Sequence, residues 1–262
     1  MKNIVITGST SGIGYGLSDS FLRLGCSVTI CGRSQDKIQV ATKLLSAKHE
    51  PGRIFGVLCD VLDYDQVQKL WDSVKAHFGQ IDIWINNAGV AHPETAICDY
   101  NPDQVKQVIG TNIIGAINGS IVAIKGMKIQ GFGSIYNMEG LGSDGRLIKG
   151  MGLYGTSKSA VSYLTKAMAL ETKGTPILIG GIRPGMVATK LITEQYKGHP
   201  EEWERVRGIF NILSDRVETV TPWLACKILD NTKNGATITW LTRGKLISRF
   251  LSSPFHKRKV FD

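Results

Sequence analysis

The sequence lacks the cysteine and histidine patterns that hold disulfide frameworks and metal sites together. Its five cysteines are odd in number and contain no Cys-x-x-Cys pair, which predicts small buried thiols in a reducing compartment. The five histidines are scattered, with no pair at ligand spacing and no cysteine nearby. Because a zinc site needs such a cluster, we predict no metal site and expect solvated or hydrogen-bonded histidines.

Segments that direct a chain to or through a membrane are also scarce. Residues 1–3 lead directly into a strand-like run and a glycine-rich turn, without a basic and then apolar signal segment. The most apolar stretch, 113–124, is interrupted by Asn118 and Ser120 and is too short to span a bilayer, which favours a buried helix. The sequence therefore predicts a cytoplasmic protein.

Acidic residues are outnumbered by basic residues, 22 against 31, which leaves a formal charge of +9. This excess permits attraction to anionic ligands, membrane surfaces or nucleic acid, but it does not choose among them. Neither a recognition motif nor a basic stripe along one element accompanies the charge, so we expect no nucleic-acid binding.

The 262 residues, 42% of them hydrophobic, are enough for one α/β domain with a buried core. Short β-branched runs alternate with longer amphipathic runs, a pattern typical of βαβ units in a parallel sheet that helices cover on both faces. The predicted strands are 3–7, 27–31, 53–59, 81–85, 133–137, 176–182 and 236–239. We therefore predict a single domain over residues 1–262 around a sheet of about seven parallel strands.

Two segments depart from this alternation. Residues 190–221 are polar, then charged and then apolar, and we interpret them as an insertion of short helices that forms a substrate lobe before the last helix. Residues 240–262 interleave apolar and cationic side chains. This basic tail suits either an interfacial helix in peripheral contact with an anionic membrane or a terminal segment packed against the substrate lobe with a solvated basic end.

A glycine-rich turn follows the first predicted strand and opens a helix. Unpaired backbone N–H groups and the positive end of the helix dipole offer a pyrophosphate site there, which larger side chains would block. Glycines also serve tight strand-to-helix packing, which is the alternative interpretation. The residues predicted to bind a coenzyme in this turn are Gly8, Ser9, Ser11, Gly12, Ile13 and Gly14.

No carboxylate follows the second predicted strand, where a dinucleotide fold holds the adenosine ribose 2′-OH. Arg33 and Ser34 stand there instead, and their charge-assisted hydrogen bonds to a 2′-phosphate would favour NADP over NAD. A solvated arginine that begins the next helix is the alternative. The third and fourth strands end on further predicted coenzyme ligands, of which Asp60 could equally cap a helix: Asp60, Val61, Asn87, Ala88 and Gly89.

Tyr154 and Lys158 lie four residues apart in a stretch with helical periodicity, 153–171, so their side chains project from one face. Alone they could be a solvated pair, but downstream of a nucleotide motif they are a candidate acid and the residue that tunes it. Donating a proton near neutral pH requires the tyrosine pKa to fall from ~10 toward ~7, which takes about 4 kcal/mol of preferential phenolate stabilisation. A neighbouring ammonium and an oxidised nicotinamide would supply that stabilisation.

Motifs along residues 1 to about 190 resemble those of the short-chain dehydrogenase/reductases. They occur in the order Thr7-Gly8-x-x-x-Gly12-x-Gly14, Asn86-Asn87-Ala88-Gly89, Asn112, Tyr154-x-x-x-Lys158 and Pro184-Gly185-x-x-x-Thr189. The resemblance implies a Rossmann-type doubly wound fold and a homodimer or homotetramer.

The resemblance also implies roles for single residues. Tyr154 would be the proton donor or acceptor, and Lys158 would hold the nicotinamide ribose and lower the Tyr154 pKa. Asn112 would kink its helix and order a proton-relay water. Thr189 would bind the carboxamide, and the predicted coenzyme ligands in its segment are Pro184, Gly185, Val187 and Thr189.

The chain departs from the family in the serine that usually follows the fifth strand and polarises the substrate carbonyl. That place falls on Glu139 or Gly140, and Ser143 is the nearest hydroxyl. We predict that the surrounding glycines let Ser143 reach the carbonyl oxygen, where one donor is worth roughly 3 kcal/mol. The alternative is an exposed Ser143, with catalysis resting on Tyr154 alone.

Stretches 136–143, 184–191, 210–212, 218–220 and 238–242 resemble the chlorophyll b reductase subgroup, which reduces a ring formyl group to hydroxymethyl. The plastid-targeting segment expected of plant members is not seen, so we expect the substrate to have diverged. The sequence thus predicts an NADPH-dependent reductase of an aldehyde or ketone on a small lipophilic substrate. Two alternatives remain: an NAD(P)-dependent alcohol or sterol dehydrogenase working oxidatively, and a non-catalytic NADP-binding regulatory protein.

Overall fold

The computed structural model describes residues 1–198, 200–253 and 258–261, which fold around a seven-stranded parallel sheet. The histidines at 199 and 256 and part of the basic tail lie outside the described residues. The strands are β1 (Asn3–Ile6), β2 (Ser27–Gly32), β3 (Ile54–Leu58), β4 (Ile83–Asn86), β5 (Gly133–Met138), β6 (Ile177–Arg183), β7 (Val187–Ala188), β8 (Asp215–Arg216) and β9 (Ala236–Thr239). The short β7 and β8 pair with each other outside the main sheet.

The strand order of the main sheet is β3-β2-β1-β4-β5-β6-β9, with every neighbouring pair parallel. The chain therefore winds outward from β1 in one direction and then from β4 in the other. This order confirms the predicted Rossmann-type doubly wound fold. Ligands of such sheets bind at the carboxyl ends of the strands where the winding reverses, which here is the gap between β1 and β4.

Helices connect the strands and cover both faces of the sheet. They are α1 (Gly12–Arg23), α2 (Gln35–Ser46), α3 (Tyr64–Phe78), α4 (Pro102–Ile109), α5 (Gly115–Gln130), α6 (Gly152–Glu171), α7 (Lys190–Thr193), α8 (Pro200–Leu213), α9 (Val217–Asp230) and α10 (Arg243–Ser252). A π-helical turn over Gly110–Ile114 joins α4 to α5. Short 3₁₀ turns occupy Pro51–Arg53, Ile97–Asp99 and Glu194–Tyr196.

Successive residues of β1 face opposite sides of the sheet. Ile4 and Ile6 lie in one core layer with Phe21 of α1, whereas Val5 lies in the other layer with Trp71 of α3. Because side chains alternate along a strand and both layers are apolar, β1 is buried on both faces. This is why the strands of the sheet read as short runs of β-branched residues.

The stretch 102–130 is long and apolar enough to cross a membrane by length and composition, yet 56% of its most apolar window is buried inside the protein. Within α5, Gly126 packs directly against Trp71 of α3. A Cβ at that position would stand 2.1 Å from the Trp71 indole. The predicted helix over 113–124 is therefore a helix with one face in the core.

The segment predicted to be a substrate lobe, 190–221, contains α7, α8 and β8, and α9 begins at Val217, before the predicted end of the segment. The tail packs against this lobe through Asp215 of β8. The Asp215 carboxylate accepts hydrogen bonds from Trp240 Nε1 at 2.6 Å, from Arg249 and from Arg258 at 2.6 Å. Since these two tail cations pair with a lobe carboxylate, the described part of the tail matches the packed interpretation.

Candidate active site

The glycine-rich turn brings its backbone against the end of β4. Gly8 and Gly12 have φ values of 62° and 57°, in the left-handed region that glycine adopts readily. A Cβ on Gly8 would lie 2.8 Å from Ala88 Cα, and one on Gly14 would lie 2.6 Å from Asn87 Nδ2. The glycines are thus required for close packing as well as for the turn.

The first turn of α1 presents backbone N–H groups at the carboxyl edge of the sheet. Ser11 precedes the helix in an extended conformation, and its side chain makes no capping hydrogen bond within the described chain. Ser9 is fully buried. Its hydroxyl donates a hydrogen bond to Ile6 O at 2.6 Å and accepts one from Cys31 N at 3.0 Å. Ile13 packs on the core. The helix N-terminus therefore fits an anion, whereas the Ser9 hydroxyl is used within the chain.

The end of β2 offers an unpaired cation. Arg33 is exposed and has no hydrogen-bond or ion-pair partner among the residues the structure describes. Ser34 caps α2 by accepting a hydrogen bond from Lys37 N at 3.4 Å. The guanidinium is therefore free to take an anionic ligand, while the neighbouring hydroxyl already holds the helix.

Asp60 and Val61 stand at the end of β3, as predicted. The Asp60 carboxylate accepts from Leu62 N at 3.1 Å in a turn. The residue that caps α3 is Asp63, which accepts from Gln66 N at 3.1 Å. The alternative role for Asp60 as a helix cap is therefore wrong. Val61 is buried against α5.

Asn87 locks the ends of β1 and β4 together. Its backbone N–H and that of Ala88 both donate to Thr7 Oγ1 at 3.0 Å, and its side-chain amide donates to Thr7 O at 2.8 Å. A Cβ on Gly89 would lie 3.3 Å from Asn112 Oδ1 and 3.6 Å from Lys158 Nζ. The structure therefore brings the second motif into contact with the catalytic candidates.

Asn112 lies in the π-helical turn. This turn is the distortion of the helix that was expected at Asn112. Its Oδ1 accepts from Val90 N at 2.8 Å, and its Nδ2 donates to Val90 O at 2.9 Å and to Ser157 Oγ at 3.0 Å. The buried amide thus joins the segment after β4 to α6. Its role in ordering a relay water stays a prediction.

Lys158 is buried on α6 and donates from Nζ to Met138 O at 3.0 Å, 5.8 Å from the centre of the Tyr154 ring. Burial lowers the pKa of Lys158 to about 8, against the opposing effect of the Glu139 charge. Burial raises the pKa of Tyr154 to about 12. The protein alone therefore does not lower the tyrosine pKa as expected, because burial disfavours the phenolate, and the phenol stays protonated.

Of Glu139 and Gly140, the two residues expected at the place of the family's serine, Gly140 lies beside the phenol. A Cβ there would lie 2.8 Å from the Tyr154 hydroxyl. Ser143 is buried rather than exposed, and its hydroxyl donates to Gly140 O at 2.6 Å. To polarise a substrate carbonyl, this hydroxyl would have to exchange the Gly140 carbonyl for the substrate oxygen.

The site predicted from the sequence did not include an ion pair that lies beside this loop in the structure. Glu139 accepts a hydrogen bond from Arg183 Nε at 2.6 Å, and Arg183 also donates to Ser143 O at 3.0 Å. The sequence carries the signal for it, because one residue follows β5 and the other ends β6, and neighbouring parallel strands end together. The pair holds the loop that packs against the Tyr154 hydroxyl.

The segment after β6 closes the other side of the site. Pro184 and Gly185 follow the strand, and Gly185 has a φ of 74° and packs tightly on Leu241. Val187 is buried in β7. Thr189 lies opposite the glycine-rich turn, with its Cγ2 3.5 Å from where a Cβ on Gly12 would stand. The open α1 N-terminus, a buried ammonium and this threonine together fit a dinucleotide that spans the edge of the sheet.

A family model described as short chain dehydrogenase matches residues 2–199. The protein belongs to the short-chain dehydrogenase family. It is accordingly an oxidoreductase, and the roles of the individual motif residues stay predictions.

Two plant proteins are similar to this short-chain dehydrogenase along most of its length. Chlorophyll(ide) b reductase NOL of Oryza sativa subsp. japonica is 32% identical over 259 residues, which cover 95% of this chain and 74% of that protein. A probable chlorophyll(ide) b reductase of Arabidopsis thaliana is 27% identical over 277 residues, which cover 100% of this chain and 55% of that protein. The chain thus spans about half the length of the longer relative.

A solved structure of ElxO with NADP bound has the same fold, with a TM-score of 0.80 and 25% identity over 91% of this chain and 96% of that chain. The short-chain dehydrogenase fold therefore holds a nicotinamide coenzyme in that relative. Doubly wound sheets bind such ligands at the carboxyl ends of their strands, which form the edge described above.

The lowered pKa of Lys158 predicts an early titration in the coenzyme-free protein. We expect its ammonium to lose the proton near pH 8, instead of the 10.5 of an unperturbed lysine. Between these values the unfolded chain holds a proton that the folded chain has lost, so stability rises with pH across this window. The measurement is a pH titration of ¹³C-labelled lysine side chains, with the Lys158→Arg spectrum to assign the signal.

Glu139→Gln provides the matched comparison for this titration, because the charge it removes holds the Lys158 pKa up. That variant is expected to titrate still lower than the wild type. A Lys158 signal that titrates as an unperturbed lysine does would contradict the account.

Proposed function

We propose that this protein is an NADPH-dependent reductase that converts an aldehyde or ketone of a lipophilic substrate into the alcohol. The observation that carries the proposal is the half-buried phenol of Tyr154, which burial keeps protonated beside the Lys158 ammonium. In reduction the phenol gives its proton to the carbonyl oxygen, and in oxidation the same group takes a proton back. We infer the reductive direction from the chlorophyll(ide) b reductase names of the plant relatives.

When bound, the reduced coenzyme supplies the hydride that goes to the carbonyl carbon. The protein supplies the other half of the reaction, because Tyr154 donates its proton to the carbonyl oxygen as negative charge develops there. The phenolate that remains is stabilised by the nearby positive charge of Lys158. Arg183 and Glu139 hold the loop at residues 140–143 against this phenol. Asn112 holds α6 through Ser157.

Several observations support a lipophilic carbonyl substrate. The plant relatives are named as chlorophyll(ide) b reductases, and the loop after β5 resembles that subgroup. The same loop carries the exposed apolar side chains Leu147 and Ile148, and a second loop tied to it by the Thr95 N to Gly150 O hydrogen bond carries exposed Ile97. An apolar rim of this kind suits a large apolar ring system that bears a formyl group, which we propose as the substrate class.

The preference for NADPH rests on Arg33. Its unpaired guanidinium lies past the end of β2, and no carboxylate stands there to hold a 2′-hydroxyl. A guanidinium binds phosphate through charge-assisted, bidentate hydrogen bonds. We therefore infer that the coenzyme carries a 2′-phosphate.

Replacing Tyr154 by Phe removes the proton donor and leaves the coenzyme contacts in place. We expect turnover to fall roughly 100- to 10,000-fold with NADPH affinity nearly unchanged. The assay follows NADPH oxidation with formyl-bearing tetrapyrroles and with simple lipophilic aldehydes. Tyr163→Phe is the matched control, because Tyr163 is an exposed tyrosine on the same helix. A normal rate in Tyr154→Phe would end the mechanistic assignment.

Replacing Arg33 by Ala tests the coenzyme preference. We expect NADPH binding to weaken roughly 10- to 100-fold and NADH binding to change little, because only NADPH presents a phosphate to this side chain. Calorimetry with both coenzymes measures the difference. Arg23→Ala is the control, since Arg23 lies at the far end of α1 and pairs with Asp19 at 2.8 Å. Equal losses for both coenzymes would refute the preference.

Replacing Ser143 by Ala tests the second donor. We propose that its hydroxyl turns from Gly140 O to the substrate oxygen, so the variant should lose roughly 100-fold in kcat. Ser159→Ala is the matched control, because Ser159 anchors the same loop by donating to Gly142 O at 2.8 Å. A normal rate in Ser143→Ala would leave Tyr154 as the sole donor.

A further inference from the structure

The helix that carries the catalytic candidates begins without a cap of its own. Met151 precedes α6 and has no side-chain acceptor for the N–H groups of the first turn. Two side chains from another part of the chain supply the missing acceptors. The Tyr100 hydroxyl accepts from Leu153 N at 3.0 Å, and His92 Nε2 accepts from Tyr154 N at 3.1 Å.

The hydrogen bonds of His92 leave it one protonation state. Its Nδ1 lies 2.6 Å from Pro93 O, which can only accept, so Nδ1 carries the proton. Its Nε2 faces the Tyr154 N–H, which can only donate, so Nε2 presents a lone pair. The ring is buried, with 1% of its surface exposed. A neutral Nδ1–H imidazole is therefore the form that satisfies both contacts.

The two caps support each other. The His92 and Tyr100 rings meet edge to face, with centroids 5.3 Å apart and planes at 79°. Their segment, between β4 and α4, is also tied to the residues just before α6 by the hydrogen bond from Thr95 N to Gly150 O at 3.0 Å. The segment that follows Gly89 and the N-terminus of α6 thus form one connected unit.

We propose that His92 is a positioning residue for the reaction, which fixes the backbone of Tyr154 and thereby the direction of its phenol. Helix ends fray unless their orphan groups are capped. Tyr154 is in the first turn of α6, so loss of its cap moves the backbone that carries the proton donor. A misplacement of about 1 Å at a catalytic group can cost about 100-fold in rate.

The proposal rests on the proposed reductase function for its kinetic consequence, but the tautomer does not depend on that function. Two variants separate hydrogen bonding from ring packing. His92→Phe keeps a planar ring against Tyr100 and has no acceptor, whereas His92→Gln has a carbonyl oxygen that can reach the Tyr154 N–H.

We expect kcat for NADPH-dependent aldehyde reduction to fall about 10- to 100-fold in His92→Phe, with NADPH affinity within about twofold of the wild type. His92→Gln should recover most of that loss. A purely structural role would lower kcat, coenzyme affinity and the unfolding midpoint together in both variants, and would overturn the proposal. Full kcat in His92→Phe would also overturn it.

Long-range ¹H–¹⁵N histidine spectra of the coenzyme-free wild type give the second readout, with His92→Gln to assign the signals. We expect a protonated Nδ1 and an unprotonated Nε2 near neutral pH. An Nε2–H tautomer would refute the cap. If the wild type reduced no carbonyl but showed the expected tautomer, the proposed function would fail while the cap on α6 would stand.

Discussion

All strands of the main sheet run in the same direction, and the candidate site depends on this constraint. Every residue that follows a strand arrives at the same edge of the sheet. The glycine-rich turn, Asn87, Glu139 and Pro184 therefore lie along one edge although they are far apart in sequence. The reversal of winding between β1 and β4 opens a gap at that edge. Helix α6 then places the Tyr154 hydroxyl beside Gly140, which follows β5.

Burial is the second force that shapes the site, and it acts on two neighbouring groups in opposite senses. Burial raises the pKa of the Tyr154 phenol and lowers the pKa of the Lys158 ammonium. The Glu139 carboxylate acts against the second effect, and its partner Arg183 keeps that carboxylate in place. A structural ion pair and the candidate catalytic pair thus lie close together near the ends of β5 and β6.

The sequence predicted the sheet well because its strands are buried on both faces and read as short β-branched runs between glycines and polar turns. It also predicted that Tyr154, Lys158 and Asn112 belong together, through the order of the motifs. It could not show which hydrogen bonds each polar side chain uses within the chain. Ser9 and Ser143 look alike as sequence candidates, yet each donates to a backbone carbonyl nearby. Nor could it show the pairing of β7 with β8, which are too short for periodicity.

Gly140 and the phenol occupy a shared space, since any Cβ at residue 140 would overlap the tyrosine oxygen. A serine at this position would therefore require the tyrosine side chain to shift, whereas glycine lets the phenol lie where it does. The residue at 140 and the position of the phenol are thus coupled. Among homologues, serine at position 140 should occur together with a shifted α6, and glycine at position 140 should occur together with the helix position described here.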